Sequence, residues 1–150
     1  MKQLLVGILL LASVGLAAWQ ESDVKQFLHA ISAVLAGSLP DSTAVADRLG
    51  NEHQLWADSK GLWYKTSEPV SFRSIGHAPA IRLTKERVSS PALLLVTDNA
   101  GAYPTKKLVV LWRIAEPDGP HVLFCTRRLD QRFCVWSEPV DVTPSSSRRY

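Results

Sequence analysis

Residues 108–127 read LVVLWRIAEPDGPHVLFCTR, and this stretch carries the strongest fold signal in the chain. Two runs of apolar, β-branched and aromatic residues, 108–114 and 121–127, flank the tetrapeptide Glu116-Pro117-Asp118-Gly119. Proline suits the second position of a β-turn because its φ is already fixed, and glycine suits the fourth position. The stretch therefore predicts two antiparallel strands joined by a tight turn, the first of them covered on both faces.

Further strand patterns lie on both sides of this hairpin. Residues 70–73 and 80–84 alternate between apolar and polar side chains, which is typical of a strand with one wet face. Residues 92–97 form another near-continuous apolar run, which suits a central strand covered on both faces, and residues 132–137 give a final strand. Together with the hairpin they predict an antiparallel meander sheet of five to six strands.

The clearest helix precedes these strands. Asp23 followed by Gln26 has the spacing of a capping box, and Gly37 with Pro40 ends the helical periodicity. The apolar residues between them recur at spacings of three and four, so they share one helix face. These residues are Val24, Phe27, Leu28, Ile31, Val34 and Leu35. We expect this face to pack on the sheet of the same domain.

A shorter second helix is predicted over residues 41–50, with Asp41 or Ser42 as its cap and with Val45 and Leu49 facing inward. Helices followed by consecutive strands indicate the α+β class. The predicted architecture is an N-terminal amphipathic helix, plus this shorter second helix, packed on the five- to six-stranded antiparallel meander sheet.

The N-terminus has the pattern of an export signal. Lys2 supplies a positive charge, an apolar run extends from Leu4 to Ala18, and polar residues follow. Gly15-Leu16-Ala17 and Leu16-Ala17-Ala18 are the candidate cleavage tripeptides. The apolar run is shorter than the roughly 20 residues that span a bilayer, which favours a cleaved signal peptide over a retained membrane anchor.

These patterns predict three parts: a signal peptide over residues 1–18, a single α+β domain over 19–144, and a flexible polar tail over 145–150. The expected location is extracytoplasmic, either secreted or periplasmic. Contact with a membrane is expected only if the N-terminal segment is retained.

Charge and motif content argue against several functions. The formal net charge of +3 is mild, and Lys2 lies in the predicted leader, so no nucleic-acid binding is expected. The four histidines show no metal-ligand spacing, and no phosphate-binding glycine pattern occurs. The sequence therefore predicts no metal site and no cofactor.

Cys125 and Cys134 are the two cysteines, and both lie in the part that is expected to be exported. An oxidising compartment favours a disulfide between them, while a pair of buried free thiols is the alternative. If Cys125 faces Cys134, antiparallel counting places Leu123 opposite Trp136 and Arg127 opposite Arg132.

Arg127, Arg128 and Arg132 are the first candidate binding residues. Guanidinium groups bind carboxylates and phosphates through two parallel hydrogen bonds, so these residues predict a contact for something anionic at the hairpin tip. The alternative is a solvated loop in which Asp130 bridges the arginines. Trp63 and Tyr64 are the second candidates, because an exposed aromatic pair anchors partners. Their alternative role is to cap one end of the core.

The functional prediction depends largely on the missing catalytic signatures, since no nucleophile elbow occurs and no carboxylate pair is singled out. We expect a small exported non-enzymatic protein that binds another macromolecule, such as an inhibitor, an immunity or effector-type protein, or an envelope or secretion accessory protein. Its partner would be another protein or an anionic envelope polymer. The alternative is a small secreted hydrolase acting on carbohydrate or cell-wall polymer, which the five tryptophans favour.

Overall fold

The computed structural model describes residues 16–69, 79–130 and 135–144. Its strands form two antiparallel sheets of four strands each, which we call the outer sheet and the central sheet. Before them come a short 3-10 helix, Leu16–Ala18, and the helix α1, Glu21–Ala36. The outer sheet has the order β1 (Ser42–Ala46), β2 (Glu52–Asp58), β3 (Gly61–Thr66) and β4 (Ile81–Thr84). The central sheet has the order β5 (Ser89–Asp98), β6 (Thr105–Glu116), β7 (Gly119–Arg128) and β8 (Val140–Asp141).

The elements stack in three layers, with the central sheet between α1 and the outer sheet. Successive residues of a strand point to opposite faces. On β6, Val109 and Leu111 therefore join the core beneath α1, whereas Val110 and Trp112 join the core between the two sheets. The predicted strand over 108–114, covered on both faces, is confirmed. Within the described ranges, no helix is both long enough and apolar enough to cross a membrane.

The predicted turn between the two longest strands is also confirmed. Glu116 pairs with Gly119, so Pro117 and Asp118 form a two-residue loop between β6 and β7. Gly119 has a φ of 127°, a conformation that side chains disfavour, which explains why glycine occupies the position.

The first predicted helix exists, but its N-terminus differs from the prediction. Phe27, Ile31 and Val34 are its buried residues, and the helix ends at Gly37, which adopts the left-handed conformation. Asp23 is not the cap, because Gln20 occupies that position. Instead, the Asp23 carboxylate accepts a hydrogen bond of 2.9 Å from the N–H of Thr97, which ties the helix to β5.

The second helix predicted over residues 41–50 is wrong, since β1 occupies that segment. Thr43 and Val45, two residues apart, are half-buried between exposed neighbours, and Val45 pairs with His53 on β2. The spacing of four between Val45 and Leu49 is typical of a helix with both residues facing inward, yet Leu49 is 88% exposed. The Asp47 carboxylate accepts the N–H groups of Leu49 and Asn51, and so stabilises a turn there instead.

The single meander of five to six strands is wrong as well, because eight strands divide between two sheets and only one α-helix is described. Four of the described strands, β1, β2, β3 and β8, were not predicted. In β2, His53 and Leu55 are buried and their neighbours Glu52 and Gln54 are exposed. This alternation has the period of a strand, but a histidine in a buried position hides the pattern when apolar residues alone are counted.

The predicted register beyond β7 is also wrong. Trp136 lies opposite Arg127, and Asp141 of β8 lies opposite Leu123, so neither Leu123–Trp136 nor Arg127–Arg132 is a pair. Three predicted segments fall wholly or partly outside the described residues. They are the strand over 70–73, the first part of the strand over 132–137, and residues 1–15 of the leader.

The predicted disulfide stays a prediction, because Cys134 lies outside the described residues. Cys125 is buried between the two sheets, and its thiol forms no disulfide with another described residue. Its burial raises the pKa of that thiol to about 12, so the reactive thiolate is disfavoured at neutral pH.

Candidate functional site

The arginines predicted to form one anionic contact occupy different environments. Arg127 points between the two sheets and is only 3% exposed. Arg128 is exposed and forms an ion pair of 2.7 Å with Asp130. Arg132 lies outside the described residues. Contact of Arg128 and Arg132 with an anionic partner stays a prediction, but the Arg127 guanidinium is turned away from solvent.

Arg127 belongs to a partly buried group that we call the polar cluster, which joins the two sheets. Its members are Asp47, His53, Tyr64, Glu68 and Arg127. Both terminal nitrogens of Arg127 donate to the Glu68 carboxylate, at 2.8 and 2.9 Å, and one of them also donates to the Tyr64 hydroxyl at 2.8 Å.

The remaining hydrogen bonds follow from that donation. The Tyr64 oxygen accepts from Arg127, so its own proton is directed to Nδ1 of His53, at 2.7 Å. The other ring nitrogen, Nε2, then donates to the Asp47 carboxylate at 2.9 Å. Burial works against ionisation of Asp47, but the bonds from His53 and from the N–H of Asn51 outweigh it and lower the pKa of Asp47.

The polar cluster contains residue types that serve metal sites and hydrolases. The ligand atoms of Asp47, His53 and Glu68 lie within 4.8 Å of one another. However, Arg127 already supplies the positive charge beside Glu68, and both ring nitrogens of His53 are hydrogen-bonded. His53 is 0% and Tyr64 1% exposed, so no substrate reaches them. These residues fit a connection between the sheets better than a reactive centre or a metal site.

Trp63 and Tyr64, the predicted aromatic pair, point to opposite faces of β3. Tyr64 faces the interior, which agrees with the alternative of a core role. Trp63 lies half-buried on the outer face, opposite Trp56 on β2, and its indole nitrogen donates to the Asp58 carboxylate at 3.0 Å. The guanidinium carbon of Arg82 lies 5.6 Å from the centre of the Trp63 ring.

A different surface has the form of a binding site. We call it the edge groove: one wall is α1 from Lys25 to Ala33, the other is the segment from Leu39 to Thr43, and the floor is the start of β5, Pro91–Leu94. It has a volume of about 590 Å³, within the range of ligand sites, and its lining is mainly apolar. Lys25 and His29 are its ionisable lining residues, and no carboxylate lines it.

The floor of the edge groove is the unpaired edge of the central sheet. β5 pairs with β6 on one side only. At Thr97 the main chain faces away from β6, because its N–H donates to Asp23 and its carbonyl accepts the N–H of Gln20. Alternation along the strand gives Leu95 and Leu93 the same direction. Each thus presents one N–H and one carbonyl toward the groove side.

Both ends of this open edge are closed. Ala18 and Gln20 bond to the main chain at the Thr97 end, and at the other end the Ser90 hydroxyl accepts the N–H of Leu39. Pro91, at the start of the groove floor, carries no N–H that could pair with an added strand. Among the hydrogen bonds that residues of the described ranges make, none from a loop, a helix or a side chain reaches the main chain of Leu93 or Leu95.

Sequence reasoning missed this groove because residues 92–97 resemble a central strand. Both faces of β5 are indeed covered, by α1 and by the outer sheet, but the strand lies at the sheet edge. Pro91 is the signal that indicates an edge, since proline within a strand is confined to edges and bulges.

Comparison of the chain with protein families, with curated proteins and with solved structures finds no match.

Proposed function

We propose that this protein is a small exported, non-enzymatic binding protein, and that it holds an extended segment of a partner protein in the edge groove. The segment would add to the central sheet as a strand beside β5. The observation that carries this proposal is the unpaired main chain of Leu93 and Leu95 at the edge of β5, beside an apolar groove whose floor includes Leu93.

The main chain of β5 supplies the first source of affinity. Leu93 and Leu95 each offer one donor and one acceptor, which is what strand addition uses, and these bonds do not depend on the sequence of the partner. The closed ends of the edge limit the register of the added strand, because it can pair only between Pro91 and Thr97.

The walls supply selectivity. Ala30 and Ala33 on α1 leave space beside the strand, and the apolar lining favours apolar side chains on the segment. Lys25 and His29 lie on the rim without a carboxylate in the lining, and Lys25 makes only a solvent-exposed ion pair of 3.7 Å with Glu21, so an acidic residue is favoured at that position of the segment.

A binding role also agrees with the sealed polar cluster. An enzyme needs its acid or base within reach of a substrate. In the Asp47–His53 pair, which most resembles catalytic machinery, the histidine is fully buried. Export remains an expectation that depends on the leader sequence.

The experiment is selection of a displayed library of random dodecapeptides on the purified protein, followed by calorimetry with the selected peptides. We expect sequences with alternating apolar residues and at least one Asp or Glu. Ala33→Arg fills the groove and should weaken binding at least about tenfold. Ala36→Arg is the matched control, since Ala36 is exposed on the same helix and does not line the groove.

Three results would count against the proposal. These are no enrichment, equal affinities for the two arginine variants, or enrichment of basic peptides. Binding of decanoate that displaces the selected peptides and exceeds their affinity would reassign the groove to an amphiphile and contradict a protein partner.

A further inference from the structure

We propose that the outward face of the outer sheet binds an uncharged polysaccharide, a linear β-linked glucan, along a line of side chains that crosses all four strands. We call this line the tryptophan row, and its members are Ser42, Trp56, Trp63 and Arg82. None of these residues lines the edge groove, and the proposal does not depend on what that groove binds.

The register of the strands produces the row. Trp56 on β2 lies directly opposite both Ser42 on β1 and Trp63 on β3. Trp63 in turn lies opposite Arg82 on β4. Residues opposite one another in antiparallel strands share a face, and here it is the outward face, because Leu55, next to Trp56, is fully buried. Since neighbouring strands lie about 4.8 Å apart, the two indoles and the guanidinium group extend along about 10 Å.

Trp63 is held in place before a ligand arrives. Its indole nitrogen donates to the Asp58 carboxylate at 3.0 Å, and the same carboxylate oxygen accepts the N–H of Lys60 at 2.8 Å. The guanidinium carbon of Arg82 lies 5.6 Å from the centre of the Trp63 ring. A ring that is already fixed by two contacts loses little conformational freedom when it binds.

Trp56 is the open part of the row. Its ring is half-buried, and the residues beside it on the outward face of β1, Ser42 and Ala44, are small and exposed. Within the part of the chain that the structure describes, no hydrogen bond reaches the indole N–H of Trp56. Trp56 therefore offers a ligand both an apolar surface and a hydrogen-bond donor.

Polar and charged side chains of both signs border the row. Gln54 and Lys65 lie opposite each other on one side of it, and Asp58 lies on the other side, where β2 ends. The charged residues at outward positions of the four strands are two carboxylates and two cations, Glu52, Asp58, Lys65 and Arg82. This balance supplies hydrogen-bond donors and acceptors without a net charge, which suits the hydroxyl groups of an uncharged ligand.

An uncharged sugar fits this face better than a protein partner does. A stable protein interface buries about 800 Å² on each partner, around a centre that is poor in charged residues. Here the large apolar side chains are two half-buried indoles, and charged side chains lie directly beside them. A β-linked glucan has equatorial hydroxyl groups, so each sugar ring presents C–H groups to the indoles and hydroxyl groups to the bordering polar side chains.

Two-dimensional NMR of the purified protein during titration with cellohexaose tests the proposal without any substitution. We expect the indole N–H resonances of Trp56 and Trp63 to shift. Those of Trp19 and Trp112, which are buried in the two cores, should stay unchanged. Unchanged resonances of Trp56 and Trp63 at the highest concentration of cellohexaose, or equal shifts of all four, would overturn the proposal.

Calorimetry with two variants tests the role of the aromatic ring. Trp63→Ala should lower the affinity for cellohexaose at least about tenfold. Tyr103→Ala is the matched control, since it removes a ring that is 82% exposed on the loop between β5 and β6, and it should change the affinity less than about twofold. Circular dichroism checks the folding of both variants. Equal losses for the two variants, or tighter binding of polygalacturonate than of cellohexaose, would contradict a site for an uncharged glucan.

Discussion

Arg127 on β7 and Glu68, just after β3, form a two-point ion pair with N–O distances of 2.8 and 2.9 Å, and this pair joins the central sheet to the outer sheet. The arginine is almost fully buried, while the glutamate keeps some contact with solvent. Removal of one member of a buried pair leaves the other charge without compensation, which costs more than the pair itself contributes.

Arg127→Met should therefore lower the free energy of unfolding by about 3–5 kcal/mol. Arg128→Met is the matched control, because Arg128 is exposed and its ion pair with Asp130 lies at the surface. The control should cost less than about 1 kcal/mol. Urea unfolding measures both values, and equal costs would contradict the structural role of Arg127. The double variant Arg127→Met with Glu68→Met should recover part of the loss, since no buried charge then remains.

The pH dependence of stability should depend on His121. Its Nδ1 lies 2.6 Å from the Asp141 carboxylate and its Nε2 lies 2.8 Å from the Asp118 carboxylate. The bonds to Asp141, and next to Asp118, raise the pKa of His121 above its ordinary 6.5. Because the folded pKa is the higher one, the stabilisation is complete below about pH 6.5 and is lost as the pH rises through the folded pKa.

Asp141 determines the low pH at which the same contact with His121 stops contributing to stability. Burial opposes its ionisation, but hydrogen bonds from Thr143 and His121 prevail and lower the pKa of Asp141 below 3.8. Its contribution is present above that value and is lost as the pH falls through the folded pKa.

Because the pKa of His121 is raised in the folded protein, His121→Gln should flatten the dependence of stability on pH between about pH 5 and pH 8, as urea midpoints across that range would record. An unchanged profile would show that the contact does not contribute.

Gly61→Ala should be strongly destabilising. A Cβ atom at this position would lie 2.0 Å from the main-chain oxygen of Thr84 on β4, and the φ of 136° disfavours any side chain. We expect a loss of at least about 2 kcal/mol and disruption of the β3–β4 pairing. Gly101→Ala, where the nearest atom would lie 3.8 Å away, should stay within about 0.5 kcal/mol. Thermal unfolding of the two variants measures this difference. Equal midpoints for Gly61→Ala and Gly101→Ala would contradict the prediction.

Local patterns predict those parts of the fold that depend on local chemistry. The apolar run over 108–114, the turn at Pro117 and the end of α1 at Gly37 follow from periodicity and from backbone preferences. The register after β7 does not follow from local patterns. A disulfide between Cys125 and Cys134 predicts one set of opposite residues, whereas the structure places Trp136 opposite Arg127. When one pair of opposite residues is assumed wrongly, the predicted partner of every other residue in that strand is wrong as well.

The candidate sites were harder to predict, since both depend on long-range contacts. His53 and Glu68 are ordinary residues in the sequence, and only the arrival of Arg127 from the other sheet makes them a cluster. The edge groove arises where α1 passes beside an unpaired strand, and strand order is not encoded in the local pattern of residues 92–97.

Amide hydrogen exchange on β5, with and without a selected peptide, tests the proposed strand addition most directly. The main-chain N–H groups of Leu94 and Val96 point toward β6, so these two amides serve as internal controls. At saturation, strand addition predicts that the amides of Leu93 and Leu95 exchange at least about tenfold more slowly, while those of Leu94 and Val96 change little. Unchanged exchange at Leu93 and Leu95 while the peptide is bound would contradict it.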